Sequence, residues 1–568
     1  MQDARQISLD LDEMAALLEF AGTTKFKVSA YRRAAEVVNT LGPELGALVE
    51  QGRLQEFEGI GPSLARQIEE LWNSGTSELL ARLRSEQPEG ATELMQVEGL
   101  TPRRIRALHA ALGIRSVEEL RAACQAGRVS SVPGFGAKTE ARLLLAAERW
   151  LTRDQAVPDP MLLAAALDLA ELLRNRLLGA VSEAALVGAL RRGEETVREI
   201  EFVVDGDVGK ALEHVAGLRQ VLRVDRGSDS AALIDGVTLK LHAAPRASWG
   251  NQLVLRTGSD AHVAAALARA AERGFALGSA ADARSSGMRP FESESSLYAA
   301  LGCALVPPEL RAGADELELA TRENFSDLLD VADVQGMVHC HTTYSDGKNS
   351  VLEMAQAAQA LGMKYITITD HSPSAHYARG VTLDRLKAQW DEIASAQEQV
   401  SIRILRGTES DILADGALDY PDSVLEQFEV VIASIHARHR QDRAAMTQRL
   451  TRALSLPLFK IWGHGLGRIL NHRDPIDCDV PAILDALAGS RGAIEINADP
   501  HRLDLPPAWI PAARERGIPF LVSVDAHSTR GLRVLRYGVL MARRGGIRKR
   551  EVLNARSPED FAASVRPV

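Results

Sequence analysis

The amino-acid sequence predicts a multidomain chain with an all-α N-terminal region, a mixed α/β middle, and a C-terminal α/β barrel of about seven parallel strands. Three observations predict it. Residues 1 to about 150 read as short helices separated by Gly-containing turns, with hardly any strand pattern. From about 160 to 320, strand-like and helical runs are mixed. From 336 onward, seven short apolar runs alternate with helix-patterned segments, which is how a parallel sheet with crossover helices reads. A chain of 568 residues is also too long for a single core.

Within the first region one pattern recurs: an apolar residue, a Gly-apolar-Gly turn, then a helix. It appears as FEGIGPSLARQIEEL (57–71), VEGLTPRRIRALHAAL (97–112) and VPGFGAKTEARLLLAA (132–147). The glycines are Gly59 and Gly61, Gly99 with Thr101 in the second place, and Gly134 and Gly136. A tight Gly-x-Gly turn opening a helix bares backbone N–H groups at the positive helix end, which suits a phosphate. One copy reads as a plain helical turn. Three at similar spacing predict helix-hairpin-helix modules, in domains 1–80 and 81–155, gripping a nucleic-acid backbone without reading its sequence.

The middle region divides into 156–245, with the strand-like EIEFVVD (199–205), and 246–325, with the helical AHVAAALARAAERG (261–274). A polar segment then leads into the last domain, 336–568.

Its apolar runs are GMVHCH, KYITITDH, IRILRGTE, FEVVIASIH, LFKIWGH, GAIEINAD and PFLVSVDAH. Each ends in polar residues suited to a cation: His339 and His341, Asp370 and His371, Glu409, His436, His464, Glu495 with Asn497, and Asp525 with His527. In a parallel barrel the C-terminal strand ends converge on one mouth. His339 and His341, two apart on a strand, share a face, and Asp346 follows within reach. A lone histidine at a strand end is usually a hydrogen-bonded core or surface residue, and that reading is kept for His376, His439, His472 and His501. Six histidines and several acids at successive strand ends are different, because burying so many polar groups without a cation costs several kcal/mol. Mixed imidazoles and carboxylates suit Zn, Mn or Fe rather than Ca.

Composition narrows the class. Net charge is −10 and apolar content 46%, so any nucleic-acid binding rests on local basic faces. The four cysteines, Cys124, Cys303, Cys340 and Cys478, form no CxxC pair, which argues against both a disulfide frame and a zinc ribbon. Neither a signal-peptide pattern nor an apolar run of membrane-spanning length occurs, so a cytoplasmic protein without membrane partners is expected.

The segments HCHTTYSDG, ITITDHS, GTESDIL, IASIH, WGHGLGR, EINADPHRLDLP and SVDAHS resemble the polymerase-and-histidinol-phosphatase (PHP) domain, more closely the one appended to bacterial family X DNA polymerases. The resemblance implies a trinuclear site of three divalent ions with nine ligands, all present here. By it, His339, His341, Glu409 and Asp525 hold one ion; Glu409, His436 and His464 a second; and Asp346, His371 and His527 a third. Clustered metals activate water and clamp phosphoryl oxygens, so a metal-bound water is the expected nucleophile and no protein nucleophile is required. Arg379, Arg468 and Arg502 follow ligand strands and are candidate phosphate-binding residues, with a solvated surface role as the alternative.

The remaining residues resemble the polymerase itself over nearly its full length. FKVSAYRRAAEVV (26–38) is similar to the small N-terminal domain, and RTGSDAH (256–262) and VPPELR (306–311) to the thumb. The palm-like segment VGALRRGEETVREIEFVV (187–204) departs from the family pattern of Gly-Ser, two arginines and two aspartates. Gly188 and Arg192 are kept, but Ala189 replaces the serine, Arg198 a glycine, and Glu199 and Glu201 the aspartates, while Lys240 stands at the third carboxylate. Mg²⁺ requires near-ideal octahedral geometry, so two longer ligands and a cation in place of an anion predict that the Mg site, and with it nucleotide transfer, is lost or very weak. Gln67 and Ser63 stand at positions where some relatives carry lysines of a 5′-deoxyribose-phosphate lyase, and that activity is not expected.

The leading expectation is a DNA-processing enzyme. Its hairpins and degenerate palm would present gapped, nicked or 3′-ended DNA, with nucleotides as a further ligand, to a 3′–5′ exonuclease. Two alternatives are an active bifunctional polymerase–exonuclease whose Glu pair binds Mn²⁺, and a DNA-end-binding scaffold acting on small phosphate esters.

Overall fold

A computed structural model describes residues 4–21, 23–41, 45–57, 59–85, 91–95, 97, 99–152, 158–218, 220–278 and 288–567. The chain divides into two compact units, Met1–Val157 and Pro158–Val568.

Among its described residues the first unit has helices and no strand, and it holds two separate cores. One gathers Ile7, Leu11, Met14, Tyr31, Ile68 and Leu71; the other Ile105, Leu108, Leu120, Val129 and Leu143. The hairpin helices start and stop where their sequence dictates. Pro62 follows the Gly61 N-cap of helix Pro62–Ser74, which ends on Gly75 at φ 78°. Pro102 follows the Thr101 N-cap of helix Pro102–Leu112, which ends on Gly113 at φ 70°.

The second unit begins with a short ribbon and a five-stranded sheet. Its strands are β1 (Met161–Leu162), β2 (Glu183–Val187), β3 (Thr196–Val197), β4 (Glu199–Asp205), β5 (Val221–Asp225), β6 (Ser230–Leu233) and β7 (Thr238–Ala243). β1 pairs with β3, and the sheet order is β2-β4-β7-β6-β5. β4 and β7 run parallel, with Glu199 opposite Thr238 and Glu201 opposite Lys240. Helix Trp249–Thr257 packs on this sheet through Trp249 and Leu253 against Val187 and Val203, so the boundary expected at 245/246 is bridged by a shared core. The helices that follow close around Val254, Leu297, Tyr298 and Val306. Largely buried Glu294 ties the two parts, 2.5 Å from both Arg191 and Arg311.

The last part is a parallel barrel of seven strands: β8 (Gly336–Cys340), β9 (Tyr365–Ile368), β10 (Arg403–Asp411), β11 (Val430–Ser434), β12 (Lys460–Trp462), β13 (Gly492–Asn497) and β14 (Phe520–Ser523). β8 meets the chain after β14 through Val524 N–H to Val338 O, Ala526 N–H to His339 O and His341 N–H to Ala526 O, which nearly closes the ring. Alternation along each strand builds two layers. Leu405, Val430, Ile461, Ala493 and Leu521 form one cluster, closed by Leu553 and Phe561. Ile366, Ile404, Val431, Trp462 and Val522 face the surrounding helices. That outer core is continuous with the core of the five-stranded sheet. Paired charges reinforce the junction: Glu195 with Arg468 at 2.7 Å, and Glu194 with Arg544 at 2.7 Å. Among the described residues no helix is long and apolar enough to cross a membrane.

Candidate metal centre

The register that places Leu405 in the barrel core places Glu409 at its mouth, four residues further along β10. Glu409 is the hub. Its Oε1 lies 2.9 Å from His464 Nε2, 3.2 Å from His436 Nε2 and 3.4 Å from His339 Nε2. Its Oε2 lies 2.9 Å from His371 Nδ1 and 3.7 Å from His341 Nε2. Asp525 Oδ1 stands 3.4 Å from His341 Nε2 and 3.7 Å from His339 Nε2. Asp346 gathers His371 at 3.6 Å, His527 at 3.4 Å and His341 at 3.9 Å.

All nine residues proposed as ligands from sequence therefore converge on one mouth. Two donor atoms each about 2.1 Å from one ion, at tetrahedral or octahedral angles, lie roughly 3.0–3.4 Å apart, and most spacings here are close to that. Four overlapping groups have donor atoms within 4.8 Å of one another: His341–Asp346–His371–His527, His339–His341–Glu409, His339–His464–Asp525 and His371–Glu409–His436. His339 Nε2, both His341 nitrogens, Asp346 Oδ1 and Glu409 Oε2 are buried without a hydrogen-bond partner. Orphaned lone pairs aimed at one space fit a divalent cation better than a satisfied polar core.

The electrostatics agree. Burial would raise the carboxyl pKa of Glu409, but the surrounding imidazoles, His436 and His339 first, hold it well below the usual range. Asp525 behaves alike, with His339, His341 and His464 together outweighing its burial. Burial, reinforced by His527 and His371, draws His341 down to about 4, which leaves a neutral imidazole ready to ligate. Three of the nine, His339, His464 and Asp525, sit at positive φ (66°, 27° and 47°), a backbone cost borne where side chains must be aimed.

One supporting residue, Asp411, escaped the sequence reading. Asp411 accepts from His436 Nδ1, fixing which nitrogen faces the mouth. The available signal was its position two residues after Glu409, on the same strand face. Glu495 and Asn497, read as cation-suited, stand behind the ligands instead. Glu495 Oε1 accepts from His339 Nδ1 at 2.5 Å, and Asn497 Nδ2 donates to Asp525 Oδ2 at 3.1 Å and Glu495 Oε2 at 3.2 Å. Asp370 is likewise consumed by Thr342, Ser345 and Gln389. Cys340 lies in the outer core.

The three arginines separate. Arg502 lies 3.7 Å from Asp525 Oδ2, at the mouth. Arg379 is exposed beside it and donates to Ser345 O at 2.7 Å. Arg468 corrects the expectation: it is buried, pairs with Glu195 and donates to the carbonyls of Arg502 and Leu503, so its charge is spent on the junction rather than on a phosphate. Of the other histidines, His376, His472 and His501 are exposed. His439 is half-buried, and burial with Arg473 nearby draws it to about 4.

In the five-stranded sheet, parallel register sets Lys240 beside the acidic pair. Lys240 Nζ is 2.5 Å from Glu199 Oε1, and His242 Nε2 is 3.0 Å from Glu201 Oε2. Glu201 also fills the space over Gly188, where an added Cβ would come within 2.4 Å of its carboxylate. A cavity of about 470 Å³ adjoins, lined by Gly188, Ala189, Arg192, Glu201, Arg256 and Ser259. Arg192 itself donates to Thr257 O at 2.8 Å. Of the hairpin glycines, Gly59, Gly99 and Gly134 take positive φ and Gly61 opens its helix with no side-chain cap, whereas at the second hairpin the Thr101 hydroxyl caps Arg104 N–H. Gly136 O accepts from Thr139 and Glu140 N–H at the start of the third.

Comparisons with known proteins match this layout. Residues 4–77 match a helix-hairpin-helix domain, 91–149 a SAM-like helix-hairpin-helix tandem, 252–312 the DNA polymerase beta thumb, and 338–498 the PHP domain. The DNA polymerase/3′-5′ exonuclease PolX of Bacillus subtilis is 32% identical over 98% of both chains. A probable phosphatase of Caldanaerobacter subterraneus is 28% identical over 33% of this chain and 74% of its own. A probable histidinol-phosphatase of Deinococcus radiodurans is 27% identical over 33% of this chain and 85% of its own. With matches running from the hairpins through the thumb to the metal-collecting barrel, the chain belongs to the family X DNA polymerases that carry a C-terminal PHP domain.

Proposed function

We propose that this protein is a metal-dependent 3′–5′ exonuclease acting through its PHP barrel, with DNA synthesis by its palm lost or very weak. The observation that carries the proposal is the contrast between two acidic centres in one unit. At the barrel mouth, nine donors surround a shared space and several lone pairs there have no partner. In the palm, the acidic pair already has partners: Lys240 forms an ion pair with Glu199, and His242 is hydrogen-bonded to Glu201.

By this reading His339, His341, Glu409 and Asp525 hold one cation, Glu409, His436 and His464 a second, and Asp346, His371 and His527 a third. Bound divalent cations supply Lewis acidity, lowering the pKa of water and offsetting charge on the phosphoryl oxygens. The chain's own residues do the rest. Glu495 and Asp411 hold the ring nitrogens of His339 and His436 that face away from the mouth. Arg502 stands ready for a non-bridging phosphate oxygen, and Arg379 flanks the same rim. Half-exposed His527 and Asp346 leave the mouth open to a strand end. Gly59, Gly61, Gly99, Gly134 and Gly136 serve backbone binding in the hairpin modules, and the palm cavity takes DNA ends or nucleotides without synthesis.

A labelled, gapped duplex incubated with nucleotides and Mn²⁺ tests both halves in one gel. Shortening of the primer without extension supports the proposal. Extension at rates typical of polymerases would overturn its second half, and an intact primer its first.

A further inference from the structure

We propose that Tyr377 is a substrate-positioning residue that stacks on the base of the 3′-terminal nucleotide, setting a preference for nucleotides over base-free phosphodiesters. The inference deepens the exonuclease reading and rests on it. Tyr377 is 67% exposed, and its ring centroid lies 5.8 Å from that of His371, edge-on, and 6.0 Å from that of His436. An aromatic face therefore stands open to solvent directly against two groups of the metal-collecting mouth.

The segment that carries it is fixed. Tyr377 lies in a single 3-10 turn, His376–Ala378, whose neighbours Ala375 and Ala378 are buried. Val381 N–H donates to His371 O at 2.7 Å, and Gly380 N–H donates to Ala375 O at 3.1 Å. Gly380 packs so closely that a Cβ there would lie 1.9 Å from Ser372 O. Tyr420 hydroxyl donates to the carbonyl of Val381. Nothing in this anchoring uses the Tyr377 ring, so its exposure is not needed for the fold. A rigidly held, open π-face suits any base, because stacking is tolerant of base identity. A phosphate held by the mouth places the base of the departing nucleotide within reach of this rim.

The test compares the full-length, Mn²⁺-loaded protein and its Tyr377→Ala, Tyr377→Phe and Tyr377→Trp variants on two single-stranded oligonucleotides. One ends in a normal 3′ nucleotide, the other in a 3′ abasic tetrahydrofuran residue. The expected result is a roughly 5- to 100-fold rise in KM for Tyr377→Ala on the normal end, the range that losing one stacked base gives, with kcat little changed. Phe and Trp keep the wild-type KM. The wild type should discriminate against the abasic end by a similar factor, and Tyr377→Ala should lose nothing further there. An unchanged KM on the normal end overturns the inference, as does an equal loss on both ends, which marks a structural role. Failure of the wild type to shorten either oligonucleotide overturns the exonuclease reading instead.

Discussion

Replacing Lys240 by aspartate would turn the Glu199–Lys240 ion pair of the palm back into an unmet demand for cations. The Lys240–Glu199 ion pair is 2.5 Å long with both groups 38–43% exposed, so its loss costs at most about 1 kcal/mol. The new carboxylate would stand on the strand next to β4, in register with Glu201 and close to Glu199. At about 4 Å, like charges repel by ~1 kcal/mol in water and ~4 kcal/mol near a protein surface, and this solvent exposure favours the lower figure. Lys240→Asp should therefore destabilise the metal-free protein by roughly 1–3 kcal/mol in total. A divalent ion bound to the folded state reverses this, and a hundredfold excess over Kd returns about 2.7 kcal/mol. The assay is thermal denaturation across a Mn²⁺ titration, read as variant minus wild type so that the barrel's own response cancels. The variant should start lower and gain more. Equal gains in both proteins would refute the claim that Lys240 substitutes for a palm cation.

Other consequences follow from the same geometry. Glu409→Gln removes the charge that five imidazoles share and should cut exonuclease turnover at least a hundredfold while lowering bound Mn²⁺ in an equilibrium-dialysis measurement; unchanged stoichiometry would count against its bridging role. Asp411→Asn weakens the acceptor that orients His436 and should reduce metal affinity roughly 10- to 100-fold, with near-normal turnover recovered at saturating Mn²⁺. Lys460 is buried in β12 with no acidic partner among the described residues, and burial draws its pKa to about 8. Because the folded pKa lies below the unfolded one, the penalty is complete below about pH 8 and fades as pH rises toward about 10.5. A shift of that size is worth roughly 3 kcal/mol, offset by about 1 kcal/mol for each hydrogen bond to Leu456 O and Ser490 Oγ that is lost, so Lys460→Met should stabilise the protein at pH 7 by about 1 kcal/mol. In chemical denaturation that advantage should vanish by pH 10.5, and a pH-independent difference would contradict the origin assigned to it.

How much of this was legible in the chain follows from how local each signal is. Strand alternation has a period of two and the barrel brings its C-terminal strand ends together. For that reason His339 with His341, Glu409, His436 and His464 could be read as one site from spacing alone. Helix starts at Pro62 and Pro102 are equally local. Glu495, Asn497 and Asp411 carry the same chemistry in the same kind of position as the ligands, so sequence could not rank them. Only the tertiary arrangement shows that Glu495 grips the far nitrogen of His339 while Glu409 faces the mouth. Arg468 looked like its neighbour Arg502 because both follow ligand strands; its burial against Glu195 depends on a partner 273 residues away.

By itself, then, the sequence determined the fold class and the gathering of polar residues at the C-terminal strand ends, because both rest on residue type and short-range period. Only the tertiary structure decided which polar groups face the mouth and which stand behind it, that Lys240 lies against Glu199, and that Tyr377 is held open above His371 and His436. Those outcomes come from strand register and loop anchoring between residues distant in the chain, and no local pattern encodes the direction in which a side chain finally points.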